Sequence, residues 1–204
     1  MQTDINSMDL MNEVCEVNET ATAEDFFQPK LPDDGDHLVV LKLGNRGIKA
    51  DRGWEGKKPN RKRSGPAFLN IHVQLVALKD DGTEGGTVGF DNLTTIAMGD
   101  GQLSSAHAVF DLAGFSIPRR ATLAEIKQAV EVAIAKNPTV VCVTRWEAQV
   151  NDGSKESPDY RDVLKGQKSF PPAGEGKFNP EVTDAKSGQT VRAQARVVRY
   201  KRRS

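Results

Sequence analysis

Cysteine is scarce in this 204-residue chain: Cys15 and Cys142 are its only two, one in a polar stretch and one in an apolar run. A pair so far apart does not frame a disulfide-stapled fold and suits free thiols in a reducing cytoplasm. Histidine is no more abundant. His37, His72 and His107 are scattered, no Cys/His cluster has ligand spacing, and neither a metal nor a cofactor is expected. No apolar run approaches the roughly 18 residues of a membrane helix. Asp4, Asp9, Glu13 and Glu16 stand where a secretory leader would carry bases. The signatures of catalysis are missing too: there is no P-loop, no G-x-S-x-G and no Cys/His nucleophile pattern. Asp33-Asp34-Gly35-Asp36 lacks the spacing and the distant glutamate of a calcium loop. An enzyme is not expected.

A net charge of zero hides a strong local imbalance. Lysine plus arginine and aspartate plus glutamate each number 28, but residues 1–36 hold ten acids against Lys30 alone. Subtraction leaves 27 bases and 18 acids for residues 37–204, an excess of nine positive charges. An acidic arm joined to a basic body points to polyanion binding, with the arm either competing for the basic surface or recruiting a partner. The densest basic stretch is RGIKADRGWEGKKPNRKR. Arg46, Lys49, Arg52, Lys57, Lys58, Arg61, Lys62 and Arg63 there oppose only Asp51 and Glu55, with Trp54 in the middle. Bases around an aromatic ring suit a grip on a nucleic-acid backbone with a platform for an unstacked base. The plainer alternatives are a solvated loop and a Trp54 folded back onto the body.

Residues 1–30 show no period that fits a buried element and read as a largely disordered arm. Phe26 and Phe27 would pin it to the body or dock a partner. After the turn at Leu31–Asp36 a first strand is expected at His37–Leu43, followed by a long loop over 44–66. Ala67–Leu78 alternates cleanly, with Leu69, Ile71, Val73 and Leu75 on one face and Asn70, His72 and Gln74 on the other. A shorter third strand follows at Gly86–Leu93. Helical spacing predicts helices over Gly101–Ala113, ending at Gly114, and over Thr122–Lys136, where Thr122 and Glu125 make a capping box. A fourth strand spans Thr139–Val150, with Trp146 on its more apolar face, and a fifth spans Thr190–Tyr200. Arg192, Arg196 and Arg199 would be a solvated face of that last strand or the floor of a groove. The connection 151–189 interleaves Tyr160, Phe170 and Phe178 with Arg161, Lys165, Lys168 and Lys177.

Three strands, a helical insert and two more strands describe a mainly β, α+β domain over 31–204. This is the element order of a five-stranded OB-like antiparallel barrel with helices between strands three and four. The long loops fall where that barrel keeps its binding loops. The segments LPDDGDHLVVLKL, FLNIHVQLV, a helix ending in AGF, and SGQTVRAQARVVRY resemble small OB-fold single-stranded-DNA-binding proteins of phage and plasmid cassettes, over about residues 26–204. The resemblance implies sequence-tolerant coating of single strands in replication, recombination or repair, in the cytoplasm of a bacterial host. It departs from that family's habit of a C-terminal acidic tail, since this chain ends in Lys201-Arg202-Arg203-Ser204.

The expected phosphate ligands are Arg46, Lys49, Arg52, Lys57, Lys58, Arg61, Lys62 and Arg63, joined by Arg161, Lys165, Lys168, Arg192 and Arg196. Trp54 is the expected stacking residue, with Tyr160 and Phe170 secondary. About five phosphate contacts give a salt slope of about −3.5, and each stacked base adds about 1–3 kcal/mol. Single-stranded RNA would use the same groups. A replication or recombination protein is the expected partner of the arm, and self-association is open. The rival reading is a structural or assembly component, such as a virion β-barrel or sandwich, with no nucleic-acid role.

Overall fold

The computed structural model describes residues 10–17, 35–53, 55, 63–97, 103–154, 159–164 and 181–203. Over these the chain is mainly β. Its strands are β1 (Val14–Glu16), β2 (Asp36–Arg52), β3 (Ala67–Leu78), β4 (Glu84–Thr94), β5 (Arg120–Thr122), β6 (Thr139–Glu147), β7 (Gln149–Asn151), β8 (Tyr160–Asp162), β9 (Glu181–Thr183), β10 (Thr190–Arg192) and β11 (Gln194–Lys201). Helix α1 (Ser105–Leu112) lies between β4 and β5, and α2 (Leu123–Ala135) between β5 and β6. No helix among the described residues is long and apolar enough to cross a membrane.

The five long strands form one antiparallel sheet in the order β11-β6-β2-β3-β4. β6 returns after the helices to lie beside β2, so β6-β2-β3-β4 is a Greek key, and β11 adds outside it. Alternation sets the faces: Leu69, Ile71, Val73 and Leu75 are wholly buried and meet Val39 and Leu41 of β2 and Leu93 of β4 in one core. The core is capped by α2, whose Leu123, Ile126, Val130 and Ala133 are buried. Its start is fixed by Thr122 and Glu125, each accepting from the other's backbone N–H. After α2, Asn137 takes the left-handed conformation (φ 53°) before Pro138, which turns the chain into β6. α1 starts four residues later than expected because Ser104 is its N-cap. The two sheet edges also meet: buried Tyr200 on β11 donates its hydroxyl proton to Asp91 Oδ2 on β4 at 2.8 Å.

Three parts differ from the expectations above. Residues 10–17, read as part of a disordered arm, belong to the body: β1 pairs with β5, and Leu10, Cys15 and Val17 are buried in the core. Their spacing has no regular period because the segment passes from helical Leu10 and Met11 through a turn to only three extended residues. Second, β2 does not end at Leu43 but runs to Arg52, so Arg46, Lys49 and Arg52 sit on a strand and not in a loop. The strand continues through a bulge between Leu43 and Ile48, where Gly47 has φ +63°. Gly44 makes room there for His72, since a Cβ would lie 2.2 Å from the imidazole Nδ1. Third, the connection 151–189 carries strands of its own, with β7 paired to β8 and β9 to β10. They cover a small cluster of Ala148, Leu164 and Ala193, against which Trp146 packs. The fifth strand is accordingly split at Ala193 into β10 and β11.

Candidate nucleic-acid interface

Strand alternation that buries Leu69, Ile71 and Leu93 turns Asn70, His72, Phe90 and Asn92 to the opposite face of β3 and β4. The register sets His72 opposite Asn92, Gln74 opposite Phe90 and Lys49 of β2 opposite Asn70. His72 and Phe90 are stacked, with ring centroids 5.3 Å apart and planes within 2°. The imidazole is held by the bulge, whose Arg46 N–H donates to its Nδ1 at 3.4 Å. Phe90 nevertheless remains 55% exposed, a large apolar area presented to water on an otherwise polar face.

Two depressions flank this pair and share Asn92. One, of about 400 Å³, is lined by Arg46, Lys49, Asn70, His72 and Asn92 among others. The other, of about 440 Å³, lies between Phe90 and Asn92 on one wall and Arg192, Arg196 and Glu147 on the other. Together they bring cations from β2, β10 and β11, far apart in sequence, to either side of one aromatic ring. Arg46 and Lys49 are exposed and make no ion pair among the described residues. Arg196 is mostly exposed but pairs with Glu147 at 3.1 Å, and Arg192 approaches Glu181 at 3.7 Å. Burial pushes the Glu147 carboxyl up, but hydrogen bonds from Arg145 and Arg196 outweigh it and hold the group below the usual carboxylate range.

The other expected ligands fare differently. Arg52 is bound to Glu13 of the acidic N-terminal segment and to the Gly65 carbonyl. Arg63 is bound to Asp51. Arg161 is a clamp within the 151–189 connection, donating to Asp152 at 2.7 Å and to Asp184 at 2.9 Å. Those bonds hold the Asp184 carboxyl well below the usual range. Arg161 thus ties β8 to the segment after β9, and it lines neither depression. Tyr160 is 64% exposed, yet it lies on β8 and lines neither depression. Trp54, Lys57, Lys58, Arg61, Lys62, Lys165, Lys168 and Phe170 lie outside the described residues. Phe90, His72, Asn70 and Asn92, which the structure brings together on this face, are not among the site residues the sequence singles out. The signal was present: in GTVGFDNL, an inward Leu93 requires an outward Phe90.

No catalytic arrangement emerges among the described residues. Ser104 and His107 stand 2.6 Å apart, Oγ to Nδ1, but both are buried and the other ring nitrogen meets the Pro118 carbonyl at 2.9 Å. Burial is the main reason the His107 imidazole titrates below its ordinary value. The pair caps α1 and ties down the loop after it. Burial likewise raises both thiols, Cys142 to about 12, so neither is a ready nucleophile. No group of three or more His, Cys, Asp or Glu side chains among the described residues is placed to hold a metal ion.

No protein-family model, curated protein or solved structure matches the chain. The functional reading rests on the residues themselves.

Proposed function

We propose that this chain binds single-stranded DNA in a largely sequence-tolerant way, across the outer face of β3 and β4. The observation that carries the proposal is the exposed Phe90 ring, stacked on His72 and flanked by Arg46 and Lys49 on one side and Arg192 and Arg196 on the other. Such a ring stacks an unpaired base, while cations on both sides neutralise the phosphates before and after it. A duplex, whose bases are already stacked, gains only the second term.

The strand order supports the finer architectural reading. A Greek key with a fifth strand, a helix between the third and fourth strands, and a Tyr200–Asp91 bond across the two edges suit a five-stranded, partly open OB-like barrel. The barrel's binding surface is the face of its second and third strands, here β3 and β4. On this reading the protein coats exposed single strands during replication, recombination or repair. The acidic N-terminal arm is left to recruit a partner or to shield the groove.

The test is fluorescence anisotropy with labelled oligo-dT and a matched duplex, at low and moderate salt. The four described cations predict a salt slope of about −2.8, from roughly 0.7 per phosphate. Phe90→Ala is expected to weaken single-strand binding by about 1–3 kcal/mol and to leave any duplex binding unchanged. Absence of single-strand binding at low salt would overturn the proposal. A second reading, a structural or assembly component, draws on the ion pairs that tie up Arg52, Arg63 and Arg161 within the fold. It predicts that neither Phe90→Ala nor reversal of Arg46 and Lys49 alters any nucleic-acid affinity.

A further inference from the structure

The depression beside Phe90 holds more than cations and a ring. Its floor carries two carboxamides, Asn70 on β3 and Asn92 on β4, placed by the register next to Lys49 and His72 respectively. Neither amide side chain has a hydrogen-bond partner among the described residues. By contrast Gln74, the next outward position on β3, is engaged with Thr87 at 2.7 Å. Each carboxamide offers a donor and an acceptor side by side. That pairing matches the donor and acceptor edge of adenine, the base that asparagine reads in bidentate fashion. The volume, about 400 Å³, is in the range of recesses that hold small ligands.

We infer that this recess reads one unstacked base, favouring adenine: Asn70 and Asn92 pair with its edge, His72 lines the wall beside it, and Arg46 and Lys49 hold its phosphate. The inference rests on the single-strand reading above and adds a preferred base to an otherwise tolerant path. Asn92 lines both depressions, so the read base would lie where the strand passes from the Arg46 side to the Arg196 side. An amide at that crossing can sense every strand that enters, whatever its register.

The experiment compares labelled oligo-dT with the same oligonucleotide carrying a single central adenine, guanine, cytosine or abasic position. The protein is free to slide, so one favoured base is enough to be found. The adenine strand is expected to bind about 5- to 150-fold more tightly than oligo-dT. In Asn70→Ala/Asn92→Ala the ratio of adenine-strand to oligo-dT affinity should fall to about one, whatever the change in oligo-dT affinity itself, since phosphate and stacking contacts carry no base identity. Should the double variant unfold early in a thermal melt, Asn92→Ala alone, at an exposed position, serves the same purpose. Tight oligo-dT binding with no adenine preference in the wild type would overturn this inference and leave the single-strand reading intact. A preference that survives in the asparagine variants would overturn it equally. Failure to bind any strand at low salt would remove the single-strand reading itself.

Discussion

Removing a single hydroxyl should test whether the two edges of the sheet are joined. Tyr200 on β11 is buried, and its hydroxyl donates to Asp91 on β4, at 2.8 Å across 109 residues of sequence. Tyr200→Phe keeps the ring and its packing and removes the hydroxyl that makes that bond. A hydrogen bond to a charged group contributes about 1.5–3 kcal/mol. Asp91 also lines the 440 Å³ groove, where water can solvate the carboxylate in place of the hydroxyl. The low end, about 1.5–2 kcal/mol, is therefore expected. At roughly 2–4 °C per kcal/mol for a chain of this size, the melting temperature should fall by about 3–8 °C. Asp91→Asn, which keeps a carbonyl acceptor, should cost less. Burial, reinforced by the Asp91 charge, pushes the Tyr200 ionisation well above its ordinary value. An unfolded tyrosine loses its proton near pH ~10 while the folded one keeps it. The stability linked to Tyr200 is then fully present below pH ~10 and is lost as pH rises beyond it. Urea titrations followed by circular dichroism at neutral and alkaline pH should show that loss in the wild type and its absence, for this group, in Tyr200→Phe. Identical urea midpoints for the two proteins at neutral pH would refute the reasoning.

The Glu13–Arg52 pair gives the acidic segment a specific contact with the basic stretch. If the segment competes with DNA, Glu13→Gln frees Arg52, tightens single-strand binding at low salt and steepens the salt slope by about 0.7, at a stability cost of no more than about 1 kcal/mol. Unchanged affinity in the same anisotropy titration would remove the competition. Deleting the whole acidic arm is the poorer test, because it would also take Leu10, Cys15 and Val17 out of the core. At acid pH the relevant group is His107, whose imidazole is kept neutral mainly by burial. Unfolded histidine gains a proton near pH ~6.5 and the folded one resists. Stability from this site is thus present above that pH and lost as pH falls through it. His107→Gln should flatten that part of a denaturation-midpoint profile; an unchanged profile would show that the group does not titrate with unfolding.

Much of the fold was legible because its long strands obey a single rule. The period of two in AFLNIHVQLVAL fixed which side of β3 is core, and Thr122 with Glu125 fixed the start of α2, since both signals are local. What escaped was non-local. Residues 10–17 are ordered only because β5, more than a hundred positions later, supplies a partner strand. β2 reads as a strand followed by a basic loop, with the glycines at 44 and 47 at the junction. In the structure they form a bulge that admits His72, and the strand resumes beyond it.

The same locality limits any reading of charge. A basic stretch counted along the sequence takes each cation as available, but availability depends on acids contributed from elsewhere. Glu13 and Asp51 engage Arg52 and Arg63, and Asp152 with Asp184 engages Arg161, so these three help to hold the fold together. Arg46 and Lys49 escape that fate because β3 opposite them offers asparagine and histidine, and the nearby Asp51 is engaged by Arg63. On β4 the acid next to Phe90 is Asp91, which Tyr200 engages from the other edge strand. The face that keeps its cations is therefore also the face that keeps an aromatic ring exposed. This coincidence, more than the number of bases in the Arg46–Arg63 stretch, separates a binding surface from a solvated one. It also ranks the substitutions: reversing Lys49 alone should weaken single-strand binding more than reversing Arg63 alone, though both lie in the same basic stretch. Equal losses from the two changes would mean that bulk charge, and not this face, governs the interaction.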